Sequence, residues 1–229
     1  MIRELVLNKE AIIKSIDKES IVKKIVSALE KFEVMFIYLG GSIAYGTFIS
    51  GVSDYDINVF VDGINGAFKI DIYGIDVFCY GKEVMIERLN PNNNLSQYKK
   101  CFIDDKLSLP DTLIYLNRKY QKEYEEYKNF NFNKVLRGFL TNFYEYFGFC
   151  FNGSSSLGKK FYHVIRIIGQ LENYLNSGEF SLDLSKFYFN QTMDFKLHYD
   201  DLDKRNYYFE LIEKYLNEIY EIKEGLKDG

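Results

Sequence analysis

Tryptophan is absent from the 229 residues, proline occurs twice and cysteine three times. The cysteines, Cys79, Cys101 and Cys150, stand far apart without a Cys-x-x-Cys spacing, which argues against a disulfide framework and a zinc site and leaves reduced thiols as the expected state. No apolar run reaches membrane-spanning length. The N-terminal MIRELVLNKEAIIKSIDKES interrupts its apolar residues with charges, so no signal-peptide core is present there. A soluble, cytoplasmic protein with no membrane partner is expected. A basic excess is missing too: 29 Lys and Arg face 33 Asp and Glu, a formal charge of -4, so non-specific affinity for nucleic acid is not expected beyond a local patch. The shortage of Trp and Pro beside 20 Tyr and 20 Phe reflects an AT-rich genome as much as a structural demand. Hydrophobic residues nevertheless make up 47% of the chain and aromatics 17%, which excludes disorder as a default and fills one large domain or two small ones.

The stretch from Tyr38 to Phe60, YLGGSIAYGTFISGVSDYDINVF, organises the rest. It reads as a strand, a glycine turn, a short helix and a second strand carrying two aspartates. Gly40 and Gly41 allow a sharp turn and close approach to a ligand, while the amides of Ser42 and Ile43 open a helix toward phosphate. The Ser42 hydroxyl adds a further donor. Asp54 and Asp56 lie two apart, and on a strand both carboxylates would project to one side, as a shared divalent cation requires.

These residues carry a resemblance. GGS, eleven residues, then Asp-x-Asp resembles the signature of the DNA polymerase beta superfamily of nucleotidyltransferases. AYGT after the serine and SDYDI around the aspartates look like the YcgL-type predicted nucleotidyltransferases of bacteria and phages. Ile43 stands where a basic or polar residue is common in such proteins, and Asn58-Val59 replaces an Arg-Gly. These departures bear on the substrate more than on the metal site. The resemblance implies an α+β fold: a nucleotidyltransferase-type mixed β-sheet flanked by helices, followed by a C-terminal helical domain.

Along the chain, Lys9 to Phe32 carries helical periodicity, clearest at Ile21, Val22, Ile25, Val26 and Leu29. Val34 to Leu39 is an apolar strand, and Ile57 to Asp62 continues the Asp-x-Asp strand inward. FKIDIYGIDVFCY, Phe68 to Tyr80, reads as two strands joined at Tyr73-Gly74. This hairpin offers Asp71 and Asp76 as a third carboxylate, which two-metal phosphoryl transfer uses at the metal nearest the nucleophile. The resemblance of IDVFCY and the following GKEVMIERLNPNN to the family's aspartate strand, helix and Asn-Pro-Asn segment favours Asp76, leaving Asp71 as an exposed hairpin residue. Lys82 to Leu89 reads as a short helix ended by Asn90-Pro91-Asn92.

Leu109-Pro110-Asp111 suggests a new helix and a boundary, giving a catalytic domain over 1–108 and a helical domain over 109–229. Val135, Leu136, Phe139, Leu140, Phe143 and Phe147 form a core stripe, and NGSSSLG, Asn152 to Gly158, reads as a loop. A helix over Lys159 to Ser177 follows, closed by Gly178, with Phe161, Val164, Ile168, Leu171 and Leu175 on its buried side. Lys159, His163, Arg166 and Gln170 fall in one arc, suited to phosphate or to solvent. KKFYHVIRIIGQLENYLNSGEF also resembles the C-terminal helix of the YcgL-type family, which implies a phosphate role for Lys159, His163 and Arg166. His198 is expected to be structural or exposed, and a last helix over Asp203 to Leu226 to pack.

The resemblance thus implies a metal-dependent nucleotidyltransferase that binds a nucleoside triphosphate such as ATP and transfers its monophosphate to a hydroxyl, releasing pyrophosphate. Asp54, Asp56 and Asp76 would hold Mg2+ or Mn2+, and Gly41 and Ser42 the phosphates. The acceptor (RNA, a small molecule or a protein hydroxyl), the choice of triphosphate and the oligomeric state stay open. The alternative is a catalytically silent nucleotide-binding or partner-binding regulatory module on the same fold.

Overall fold

The computed structural model describes residues 14–89, 111–129, 157–177 and 186–198, with positions 11 and 184 and scattered positions from 207 to 221. The chain divides into two compact units, Met1–Val135 and Leu136–Gly229.

Helix α1 (Lys18–Ala28) starts where the Asp17 carboxylate accepts the Ser20 amide at 3.0 Å, which satisfies one of the donors a helix start leaves unpaired. Its Ile25 and Leu29 are buried, with Ile21 and Val22 partly buried against the sheet. Val26, expected on that face, is exposed instead. The sheet has five strands: β1 (Glu33–Leu39), β2 (Asp56–Asp62), β3 (Ala67–Ile72), β4 (Ile75–Gly81) and β5 (Leu113–Leu116). Their order is β3-β4-β2-β1-β5, with β2 and β4 parallel and the other neighbours antiparallel. The fold of this unit is α+β, a mixed sheet flanked by helices, as expected. The hairpin also forms where expected, since Tyr73 and Gly74 both take positive φ (55° and 79°), the backbone twist that a two-residue turn between antiparallel strands requires.

β1, β2 and β4 are buried on both faces, so their alternating side chains feed two cores. One face carries Ile37, Leu39, Ile57, Val59, Val61, Val77 and Cys79 against α1. The other is aromatic: Phe36, Tyr38, Phe60, Tyr80, Tyr120, Tyr124 and Tyr127. Phe36 and Phe60 lie 4.7 Å apart between ring centroids, within the range where tilted rings attract beyond their buried area. Burial pushes the Cys79 thiol up to about 12, so this cysteine is an inert core residue.

After helix α2 (Gly41–Ala44) and helix α3 (Lys82–Leu89), the chain corrects one expectation. In place of a helix after Leu109-Pro110-Asp111 there is β5, whose LIYL fills the open edge of β1. The Leu39 amide donates to the Thr112 carbonyl at 2.9 Å, so the edge of β1 finds hydrogen-bond partners that a helix could not supply. The first unit therefore runs past the expected 108/109 boundary. A 3-10 turn (Arg118–Tyr120) and helix α4 (Gln121–Lys128) follow and cover the aromatic face.

The second unit contains α5 (Leu157–Ser177) and α6 (Lys186–His198). They approach so closely that a Cβ on Gly169 would lie 2.7 Å from the Tyr188 Cβ. Helix α6 has no counterpart in the sequence reading, because its buried Tyr188, Thr192, Met193 and Phe195 make no clean apolar stripe. His198 is exposed with Nδ1 2.8 Å from Asp194 Oδ1. The 135–147 stripe, the Asn152 loop ahead of Leu157, Asn90-Pro91-Asn92, Gly178 and most of the expected last helix lie outside the described residues. No described helix is long and apolar enough to cross a membrane.

Candidate active site

The expected site residues of the first unit gather at one end of its sheet. β1 runs antiparallel to β2, so the end of β1 meets the start of β2, with Leu39 opposite Ile57. β4 runs parallel to β2 with Asp56 directly opposite Asp76. Residues paired across neighbouring strands project to the same face. The Asp56 and Asp76 carboxylates are therefore neighbours, at the edge of the aromatic face that Phe60 and Tyr80 continue two strand pairs further in.

The glycine turn is built onto Asp56. The Gly40 amide donates to the Asp56 carbonyl at 2.9 Å. Gly41 has φ of +55°, and a Cβ there would fall inside the Asp56 carboxylate. Glycine is required at this position twice over, by conformation and by space. A Cβ on Gly40 would likewise collide with the side-chain amide of buried Asn58. Asn58 thus sets the level at which the turn rests, a role that sequence reading missed, since only the departure from an Arg-Gly pattern marked the position. Ser42 is the second residue of the four-residue α2, its carbonyl accepting the Thr47 amide at 2.9 Å.

Asp54 departs from the expectation that it shares a strand with Asp56. It is exposed and lies in the loop before β2. The reason is local: Ile49 to Ser53 forms a tight turn, with the Ile49 amide on Ser53 Oγ at 2.8 Å. β1 has meanwhile turned away at Gly40, so ladder partners for the chain begin at Asp56.

The two hairpin aspartates stand opposite each other across β3 and β4, and their carboxylates take different partners. Asp71 is exposed, and its Oδ1 accepts the Gly74 amide at 3.0 Å, a turn-closing role. Asp76 stands beside Asp56, and its Oδ2 receives the Lys69 ammonium at 2.7 Å. Lys69 projects from β3, opposite Phe78, with its Nζ 5.4 Å from the centre of that ring. Its pKa is raised above the usual lysine value, chiefly by the hydrogen bond to Asp76 and further by the charges of Asp56 and Asp54. Lys69 was not singled out in the sequence, because a lysine on an edge strand carries no pattern.

Carboxylate oxygens are the donors that Mg2+ or Mn2+ prefers, and a cation, the Lys69 ammonium, already rests on one of them. The chemistry of the donor set fits a divalent ion. The set is not pre-assembled: among the described residues, no three or more His, Cys, Asp or Glu side chains form a group that could hold a metal.

In the second unit, Arg166 and Gln170 are buried, and Arg166 Nη1 donates to Gln170 Oε1 at 3.2 Å. The solvated alternative for this arc does not hold at these two positions. His163 is half-buried with its ring edge-on to Tyr162 at 4.9 Å. The Lys159 side chain lies outside the described residues.

Residues 19–156, more than half of the chain, match the family model of the nucleotidyltransferase domain. The chain belongs to that family. No curated protein matches the sequence. The matched span includes every element of the sheet and all of Gly41, Ser42, Asp54, Asp56 and Asp76.

Proposed function

We propose that this protein is a metal-dependent nucleotidyltransferase that moves a nucleoside monophosphate from a triphosphate to an acceptor hydroxyl. The observation that carries the reading is the register that seats Asp56 beside Asp76, with the Gly40-Gly41 turn pressed onto Asp56. A phosphate-binding turn and a paired-carboxylate site thereby share one end of the sheet. Family membership supplies the reaction class.

The acceptor oxygen forms a bond to the α-phosphorus, the bond from that phosphorus to the α–β bridging oxygen breaks, and pyrophosphate leaves with the electron pair. The acceptor proton passes to solvent. Asp54, Asp56 and Asp76 would hold Mg2+ or Mn2+, which supplies charge neutralisation and a lowered acceptor pKa when bound. The backbone at Gly41 and Ser42 offers amides to the triphosphate, and Gly41 lets them approach because it has no side chain. Asp56 fixes the turn against the carboxylate pair, so phosphate and metal ligands are positioned as one piece. In the second unit, Lys159, His163 and Arg166 are the proposed phosphate-neutralising groups.

Calorimetry should show triphosphate binding that depends on Mg2+ or Mn2+, with the dependence lost in Asp54→Asn plus Asp56→Asn. Binding that depends on the cation equally in that variant would overturn the metal assignment. Asp76→Ala should abolish transfer and spare triphosphate binding, whereas Asp71→Ala should leave transfer intact. Labelled triphosphate offered with RNA, DNA and protein fractions identifies the acceptor. Cation-dependent binding with no labelled product from any fraction, small molecules included, would replace the enzyme with a silent nucleotide-binding module.

A further inference from the structure

We propose that Lys69 is a resident counter-ion of the acidic site, holding Asp76 until a divalent cation displaces it. The inference rests on the metal-site reading above, and adds a residue that reading does not contain.

Three features single out Lys69 from the other surface lysines of the first unit. First, its ammonium reaches diagonally from the edge strand to Asp76, the carboxylate that stands opposite Asp56. Second, Asp71, two residues further along its own strand and opposite Asp76, has Oδ1 engaged by the Gly74 amide. Third, the Phe78 ring beside it favours a cation at that position. Asp71, Asp76 and Asp56 pair in one row across β3, β4 and β2; carboxylates so placed repel when ionised, and an ammonium on the central one lowers that repulsion.

The pair is built to be displaced. Lys69 is 50% exposed at its side chain and Asp76 31%, and ion pairs in that range contribute little and are screened by salt. A dipositive ion that several carboxylates can share outcompetes one ammonium. Burial of the same pair would have made displacement costly. Exposure at the sheet edge lets Lys69 swing into water when the metal enters, without moving the backbone of β3.

The test needs neither nucleotide nor turnover. Free Mn2+ measured by electron paramagnetic resonance gives the metal affinity of the full chain. Lys69→Gln should tighten Mn2+ binding about three- to fivefold, the scale of one exposed ion pair, and Lys69→Arg should stay near wild type. The tightening should vanish when Lys69→Gln is made in an Asp76→Asn background. An equal tightening in that background would show only a general effect of charge and overturn the proposal. In parallel, 13C-methylated lysines, which keep their charge, report the ammonium directly, with the Lys69 resonance assigned from Lys69→Arg. It should shift on Mg2+ addition, and Asp76→Asn should produce the same shift without metal. A Lys69 resonance indifferent to both would sink the idea. Transfer activity with a static Lys69 separates failure of this inference from failure of the functional reading, and metal displacement without transfer separates them the other way.

Discussion

Gly41 is the residue on which the site turns. Its φ of +55° places it where a side chain is strained, and the space a Cβ would need is occupied by the Asp56 carboxylate. Gly41→Ala therefore forces one of two moves, a reset of the turn or a displacement of Asp56, and either separates the proposed phosphate-binding amides from the acids. Triphosphate binding and transfer should both fall by at least tenfold, while the melting temperature changes little, because α2 is short and lies at the end of the sheet. Retained activity in Gly41→Ala would show that the turn is more plastic than its packing implies. Gly46, also at positive φ, has open space around its Cβ position and serves as the control: strain without collision, and a smaller effect.

At the scale of elements, the two ends of the sheet divide the work. One end carries the acids and the glycine turn. The other is tied shut, where Glu33 of β1 faces Asp62 of β2 and the Tyr120 hydroxyl lies 2.8 Å from a carboxylate oxygen of each. Lys119 adds an ion pair to Glu33. The 3-10 turn is thereby fastened to the first two strands, and α4, which follows it, is held over the aromatic face. Glu33 titrates below its usual range, chiefly through the hydrogen bond from Lys119 and then that from Tyr120. A carboxylate depressed in the folded state contributes stability above its unfolded pKa and loses it as pH falls through its folded pKa. Stability from urea unfolding should accordingly drop as pH falls through and below the ordinary carboxylate range, and Lys119→Ala should flatten the drop. An unchanged slope would remove the Glu33 pair from the account. Tyr120→Phe should cost about 1–3 kcal/mol at neutral pH, since the hydroxyl that the two facing carboxylates share is lost.

At the scale of the whole molecule, the second unit is tested through Arg166. Arg166 is buried and bound to Gln170 within α5, so its removal has a structural cost whatever its function. Arg166→Ala should lower the melting temperature, because Gln170 Oε1 loses its donor. If Arg166 also serves the triphosphate, affinity measured well below the melting point should weaken by about 1.5–3 kcal/mol, and Arg166→Lys should recover only part, since a point charge cannot reproduce the guanidinium fork. Lowered stability with unaltered affinity would confine Arg166 to holding the helix, and leave the first unit as the functional one.

What the sequence by itself determined is local. The strand before Gly40, the strand-joining turn at Tyr73-Gly74, the helix over Lys82 to Leu89 and most of α5 follow from periodicity and turn chemistry, which act within a few residues. Their outcome is decided by the chain's own backbone preferences. Only the tertiary structure decided which of these pieces touch. Hairpin geometry alone does not tell Asp71 from Asp76; the parallel pairing of β4 with β2 is what sets Asp76 directly beside Asp56, with Asp71 one strand further out and closing a turn. Leu113–Leu116 became a strand because β1 had an unfilled edge, a demand made by residues more than 70 positions earlier in the chain. Lys69 acquired a role through a diagonal reach across two strands, and Arg166 lost its solvated option through burial. Pairing, edge filling and burial join residues remote in sequence, so no window of the sequence contains both partners.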